Sequence, residues 1–407
     1  MPGPLKGIKV LDLSRVLAGP WAGQCLGDLG ADVIKVERPG TGDDTRSWGP
    51  PYYQSSVDED ETVAGYYMSA NRNKRSIAID ITKPEGQELV KLLAAKSDIV
   101  IENYKAGGLA KYGLDYAGLS AVNSGIIYCS ITGFGHTGPY KDRPGYDFLV
   151  QGLGGMMSVT GERDDLPGGG PQKTGVATAD VFTGLYGVIG ILAALHHREK
   201  TGEGQHIDMS LLDTQVAIMG NQALGYLVSG NEPQRMGNAH ISIVPYQSFA
   251  SSDGHIILAV GNDGQFARFC SAVGREDLSS DERFKTNPER VRNRNQLVPE
   301  IEAIMKTRTT DEWVSLLEAN TVPASPINGM KRVFENEQVL ARGVRVDIDR
   351  GNGETMPSIA SPISYSKTKV EYNRPPPRLS EHAEEILDDV LGLSDSEKER
   401  FKSILGN

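Results

Sequence analysis

Short apolar runs alternate with amphipathic stretches through the first 132 residues. The run 8–13 (Ile-Lys-Val-Leu-Asp-Leu) predicts a strand and 14–19 a loop. Pro20 suits the first turn of a helix, which should reach Leu29 and stop at Gly30. A second strand is expected over 32–37, completing a β-α-β unit that calls for a parallel sheet. The rhythm repeats, with strands over 76–81, 98–102 and 126–131 and a helix over 84–96. This predicts an α/β fold with a Rossmann-like, doubly wound large domain.

Beyond a glycine-rich stretch at 167–171, which has the composition of a mobile loop, the most apolar segment of the chain runs from Val181 to Leu195. It carries Gly184, Gly187 and Gly190 and is shorter than the ~20 residues a bilayer requires, so a buried core helix is expected. A strand over 204–209 and helix over 211–230 follow. From Asn231 short strands and helices mix, as in a smaller α+β domain. Strands are expected again over 344–365, then a stiff Arg374-Pro375-Pro376-Pro377 segment and two polar helices. The domain layout is therefore 1–225 for the first part of the large domain, 226–335 for the small domain, and 336–407 for the return to the large one.

Composition narrows the function. A net charge of -11 without a long basic run argues against nucleic acid as partner. Cys25, Cys129 and Cys270 are too few and too scattered for a disulfide framework or zinc site, which points to a reducing, cytoplasmic compartment or to a mitochondrial matrix protein without its presequence. No signal peptide precedes the first strand, and no membrane association is expected.

Chemistry must then be local. The loop Ser14-Arg15-Val16-Leu17-Ala18-Gly19-Pro20 lacks the G-x-G-x-x-G pattern, so a nicotinamide dinucleotide is disfavoured and Glu37 reads as a surface residue at a strand end. Arg15, Arg38, Arg72, Lys74, Arg75, Lys105 and Lys111 all fall at or near expected strand ends. Ligands bind there in doubly wound sheets, and several phosphates would suit such a cluster. The competing reading is scattered surface charge. Asp180 stands among small apolar residues at the start of the core helix, as either a helix cap or a carboxylate nucleophile. Adjacent His196 and His197 cannot form an i, i+4 metal pair, and Asp43, Asp44 and the acids 59–61 read as solvated. No metal site is expected.

The motifs 11–20 (Leu-Asp-Leu-Ser-Arg-Val-Leu-Ala-Gly-Pro), 30–40, Asn71-Arg72-Asn73-Lys74-Arg75-Ser76, Glu102-Asn103-Tyr104, Gly133-Phe134-Gly135 and Gly145-Tyr146-Asp147 resemble those of the class III CoA-transferases, from Leu5 to about Leu391. Trp48-Gly49-Pro50-Pro51, Asn238-Ala239-His240 and 242–247 are closest to the branch that uses succinyl-CoA with dicarboxylic acids of the glutarate or 3-hydroxy-3-methylglutarate type. The resemblance implies an interlocked homodimer and Asp180 as the catalytic residue. It implies a coenzyme A site drawing on Leu17, Ala18, Arg38, Ile79, Thr82, Asn103, Tyr104 and Lys111, to which the basic cluster adds Arg72 and Arg75. Arg15, His240, Phe134 and Gly135 are the candidates for the carboxylic acid.

The implied reaction moves CoA from an acyl-CoA to a free dicarboxylic acid through an aspartyl-CoA thioester. The CoA thioester is a substrate, and no permanently bound cofactor is needed. Leu17 stands where formyl-CoA transferase has glutamine, against oxalate as acceptor; Lys111 and Thr82 replace an arginine and a lysine. The family's α-methylacyl-CoA racemases provide the alternative, but Tyr146 occupies the position of their histidine base, and a phenol is a poor base at neutral pH.

Overall fold

The apolar runs of the N-terminal half become six strands of one sheet in the computed structural model, which describes residues 2–58 and 61–405. They are β1 (Lys9–Asp12), β2 (Asp32–Glu37), β3 (Lys74–Ala78), β4 (Ile99–Glu102), β5 (Ile127–Thr132) and β6 (Gln205–Ser210). Their order is β3-β2-β1-β4-β5-β6, all parallel. The order reverses between β1 and β4, the switch point at which such sheets open a crevice. β2, β4 and β5 are buried almost throughout, as strands covered by helices on both faces must be. Successive residues serve opposite faces. Leu11, Ile34 and Ile77 meet the helix Pro84–Ala95 on one side, and Val10, Val33 and Ile127 meet the other helical layer.

β3 begins two residues before the expected strand because its first members, Lys74 and Arg75, are charged yet buried. Lys74 Nζ binds Asp12 Oδ2 at 2.8 Å, and Arg75 pairs with Asp32 and, at 3.3 Å, with Glu385. Burial of a cation requires such a partner, and the partners lie too far away in sequence to show in a local pattern.

Helix α1 (Ala18–Asp28) starts ahead of Pro20, which becomes its third residue, where the N–H is still unused by the helix. Helix α2 (Asp147–Leu153) leads towards the long α3 (Thr178–Thr201). The glycines of α3 face inward. A Cβ at Gly184 would stand 2.6 Å from Ala18 O, and one at Gly190 would lie 3.3 Å from Ile207, so α3 rests closely on α1 and β6. At 24 residues α3 outruns the apolar stretch 181–195, and by length and composition alone it would cross a bilayer. Its inward face instead belongs to the core through Ala179, Val188, Ile191 and Leu195, while Phe182, Leu185, Tyr186, Ile189 and Leu192 on the other side are exposed.

The chain divides into two compact units. The first comprises Met1–Met156, Thr174–Leu227 and Leu340–Asn407, and the second Met157–Lys173 and Val228–Val339. The excursion 157–173 therefore belongs with the second unit, outside the expected continuous span 1–225. The glycine-rich stretch inside it forms a hydrogen-bonded turn rather than a free loop: Gly169 N–H donates to Leu166 O at 3.0 Å and Gly170 N–H to Glu162 O at 3.3 Å. Three antiparallel strands, Tyr246–Ala250, His255–Ala259 and Ala324–Pro326, support the second unit's own core around Phe249, Phe266, Phe269 and Trp313. The last segment returns to the first unit, where Ile386, Leu387, Phe401 and Ile404 pack with Leu11 and Ile77.

Candidate active site

A cavity of about 590 Å³ opens at the carboxyl ends of the six strands. Its wall takes residues 14–18 after β1, residues 36–38, 42 and 43 at and beyond the end of β2, 79–82 after β3, and residues 103–106, 108, 111 and 112 after β4. Thr132 and Gly133 come from the end of β5, and Asp180 from the start of α3.

The loop 14–18 is fixed by groups beneath it. Lys35, fully buried, donates to Ser14 O at 2.9 Å and to Asp43 Oδ2 at 2.8 Å. Asp43 in turn accepts the Val16 N–H at 3.2 Å and the Thr45 N–H at 3.0 Å. Asn103 closes the other side, taking the Arg15 N–H at 2.8 Å and donating to Arg15 O at 2.6 Å. Val16 is held at φ 70, a conformation that a β-branched residue adopts only under constraint. The N-cap residue of α1, Leu17, gives no side-chain cap, so the first N–H groups of that helix are left for a ligand.

Asp180 is the third residue of α3. The expected alternative, that it caps the helix, does not hold, because Asp147 supplies the cap. Its Oδ1 accepts the Ala179 N–H at 2.8 Å and the Asp180 N–H at 3.4 Å. Asp147 reaches this point because Gly133 and Gly145 touch backbone to backbone; a Cβ at Gly145 would fall 2.2 Å from Gly133 Cα. The Asp180 carboxylate has no ion pair with any described residue. Burial, and then the charge of Asp147, push it up to about 7.

Of the residues singled out above, Leu17, Ala18, Arg38, Ile79, Thr82, Asn103, Tyr104, Lys111, Arg15 and Asp180 all line this cavity. Arg72 and Arg75 do not; Arg72 Nε binds the buried Asp28 at 2.9 Å, and Arg75 serves the half-buried Asp32, so both are committed to carboxylates of the chain itself. Phe134 lies beside the wall against Tyr140, and Gly135 forms a turn on Thr132. His240 belongs to the second unit, where its ring meets Tyr246 at 5.3 Å and its Nδ1 accepts the Ser242 N–H at 3.0 Å.

Three acids read as surface groups are not. Glu37 is buried and takes Arg46 in two hydrogen bonds of 2.8 and 2.6 Å, along with the Ser76 hydroxyl. Asp43 is buried on Lys35, and Glu61 on Arg350 and Arg378; Glu59 and Asp60 lie outside the described residues. Lys35, Lys141 and Arg143 line the cavity without having been singled out. The charged pair 141 and 143 immediately before the Gly145-Tyr146-Asp147 motif was the available signal.

A cavity at the switch point of a parallel sheet, with cations in its wall and the Asp180 carboxylate free of ion pairs among the described residues, suits an anionic substrate and a carboxylate nucleophile. The model of CoA-transferase family III matches residues 5–383, and the chain belongs to that family: it is a CoA-transferase. It is 52% identical to the succinate–glutarate CoA-transferase of Agrobacterium fabrum, covering 94% of this chain and 95% of that one. It is 45% identical to the human succinyl-CoA:glutarate CoA-transferase, over 96% and 87% of the two chains. The crystal structure of a CAIB/BAIF family protein from Brucella suis superposes with a TM-score of 0.86 at 50% identity, covering 96% of this chain and 100% of that one.

Proposed function

We propose that the enzyme transfers CoA from succinyl-CoA to glutarate, with Asp180 as nucleophile. The observation that carries this is the Asp180 carboxylate, neither capping its helix nor ion-paired with a described residue, on the wall of a cation-lined cavity. The names of its relatives support the acid pair.

An Asp180 oxygen bonds to the succinyl carbonyl carbon as the C–S bond breaks, and CoA leaves as thiolate with the electron pair. The thiolate then attacks the Asp180 carbonyl of the mixed anhydride, releasing succinate and leaving an aspartyl-CoA thioester. Glutarate attacks that thioester, the thiolate leaves again, and its attack on the glutaryl carbonyl gives glutaryl-CoA and free Asp180. Every step exchanges one activated acyl group for another, so the sequence balances without ATP, metal or bound cofactor. The free N–H groups at the start of α1 would stabilise the oxyanions. Arg38, Lys105, Lys111, Lys141 and Arg143 offer charge to the CoA phosphates. Arg15 pairs through Nη1 with the partly exposed Asp44 at 2.9 Å and keeps a buried Nε without a hydrogen-bond partner; it is the cation for the distal carboxylate of the diacid.

Incubating the protein with succinyl-CoA and a panel of acids (glutarate, 3-hydroxy-3-methylglutarate, mesaconate, oxalate) should yield glutaryl-CoA by mass spectrometry. Absence of any new thioester with glutarate would overturn the acid assignment.

The protein also acts as an interlocked homodimer in this proposal. The large exposed side chains of α3 (Phe182, Leu185, Tyr186, Ile189) and of α2 (Phe148, Leu149, Leu153) are more apolar surface than a lone chain usually shows. Sedimentation equilibrium should return twice the chain mass; a monomer at micromolar concentration would refute it.

A further inference from the structure

We infer that Asp147 is the positioning residue of the reaction: it holds the first turn of α3 from outside and so leaves the Asp180 carboxylate unpaired and nucleophilic. This rests on the reading of Asp180 as nucleophile.

The first turn of a helix presents N–H groups that need acceptors. An aspartate at the third position commonly helps satisfy them, and one bonded in that way would be a weak nucleophile. Here Asp147 takes the Ala179 N–H at 2.8 Å and the Asp180 N–H at 3.4 Å. Its other oxygen, Oδ2, accepts the Gln151 amide at 2.7 Å. Gln151 is fully buried, and its Oε1 takes both the Thr174 N–H at 2.9 Å and the Thr174 hydroxyl at 3.1 Å. Thr174 then contacts the Thr178 hydroxyl at 3.2 Å. Two linked side chains of α2 thus clamp Thr174 in the entry segment, through Gln151, and the first turn of α3, through Asp147. The Gly133–Gly145 contact sets the height of the clamp above the sheet.

The same carboxylate is the charge that faces Asp180. Tyr66 on the helix Gly65–Met68 is also in reach, its phenol raised by burial and then by Asp180 and Asp147, and Lys141, Arg143 and Tyr146 line the same cavity. The first turn of α1, packed beside α3, is uncharged. On β6, Asp208 accepts the His136 N–H, and Asp213 on the next helix, Leu211–Ile218, is exposed. A neighbouring anion makes a carboxylate more basic, and a more basic carboxylate attacks a thioester faster once ionised.

Asp147→Asn keeps an acceptor for the Ala179 N–H but removes the charge. The readout is acceptor-free capture of CoA from succinyl-CoA, followed as the protein's mass gain over a range of pH. The wild type should lose capture as pH falls through about 7, where Asp180 takes up its proton. In Asp147→Asn that acidic limb should move down by about one pH unit, and the plateau rate should drop about tenfold. An unmoved limb with an unchanged plateau overturns the proposal. Asp147→Glu retains the charge but displaces the cap, and decides the matter if the asparagine variant does not fold. Its limb should stay near 7 while its rate falls, and a limb in the ordinary carboxylate range would overturn the proposal. Asp180→Ala run beside them should gain no mass. If it does gain CoA, the nucleophile reading fails whatever the Asp147 variants do.

Discussion

Asp180→Ala is expected to lose CoA transfer by at least about a thousandfold, the scale on which removal of a covalent nucleophile acts, without loss of fold. The carboxylate carries no hydrogen bond of the first turn of α3, since Asp147 makes the cap. Stability should move the opposite way from activity. Burial and Asp147 raise Asp180 from 3.8 to about 7, so the native state binds its proton more tightly than the unfolded chain does. Such a group favours the native state below pH 4, and that advantage disappears as pH rises through 7. Asp180→Asn should therefore unfold later than the wild type at pH 8, by on the order of 1–3 kcal/mol after solvent screening, and gain little at pH 4. Urea denaturation at the two pH values measures this. Equal stability at pH 8 would mean that the carboxylate is not strained by its surroundings, and more than about a tenth of wild-type activity in the alanine variant would remove Asp180 from the chemistry.

The second large effect belongs to Asp43. Removing it leaves Lys35 buried with Ser14 O as its remaining hydrogen-bond partner, and unpins Val16 and Thr45 together. Breaking a buried ion pair from one side costs about 3–5 kcal/mol, so the first unit of Asp43→Ala should unfold at a much lower urea concentration. The double variant Lys35→Met, Asp43→Leu removes both charges and should recover much of that loss, while still transferring CoA slowly because the loop 14–18 has lost its anchor. Acid carries the same signature. Burial alone would raise Asp43, but Lys35 and Thr45 bring it down to about 2 from 3.8. Its contribution is thus complete above about pH 4 and is lost as pH falls through 2. Unfolding of the single variant within 1 kcal/mol of the wild type would show that the pair does not hold this loop.

The sheet was legible because its strands are apolar runs punctuated by residues with fixed roles. Gly30, for instance, has φ 96 and sits against Gly3 where the chain turns from α1 into β2. The cavity was legible through motifs that fall at strand ends. Buried charge was not. Arg72, Lys74 and Arg75 look like ligand contacts in a linear sequence, and Glu37 and Asp43 like surface acids, yet each has a partner of opposite charge in the fold: Asp28, Asp12 and Asp32 for the cations, Arg46 and Lys35 for the acids. Whether a cation faces a ligand or a buried carboxylate depends on a partner tens of residues away, and no spacing rule gives it. Asp147 was missed in the same way: it stands inside a quoted motif, but its partners are N–H groups of a helix 32 residues further on.

The return of the last segment to the first unit has a meaning in time. A chain emerges from the ribosome N-terminus first, and domains usually close as they emerge. The layer beside Leu11 and Ile77 cannot close in that order, because Phe401 and Ile404 complete it and Ile404 O receives the Asp80 N–H at 3.0 Å. β1 thus waits for Phe401 and Ile404, which are made far later than its own residues. The cavity wall at Ile79 and Asp80, and with it the competence to hold substrate, has to wait for those later residues.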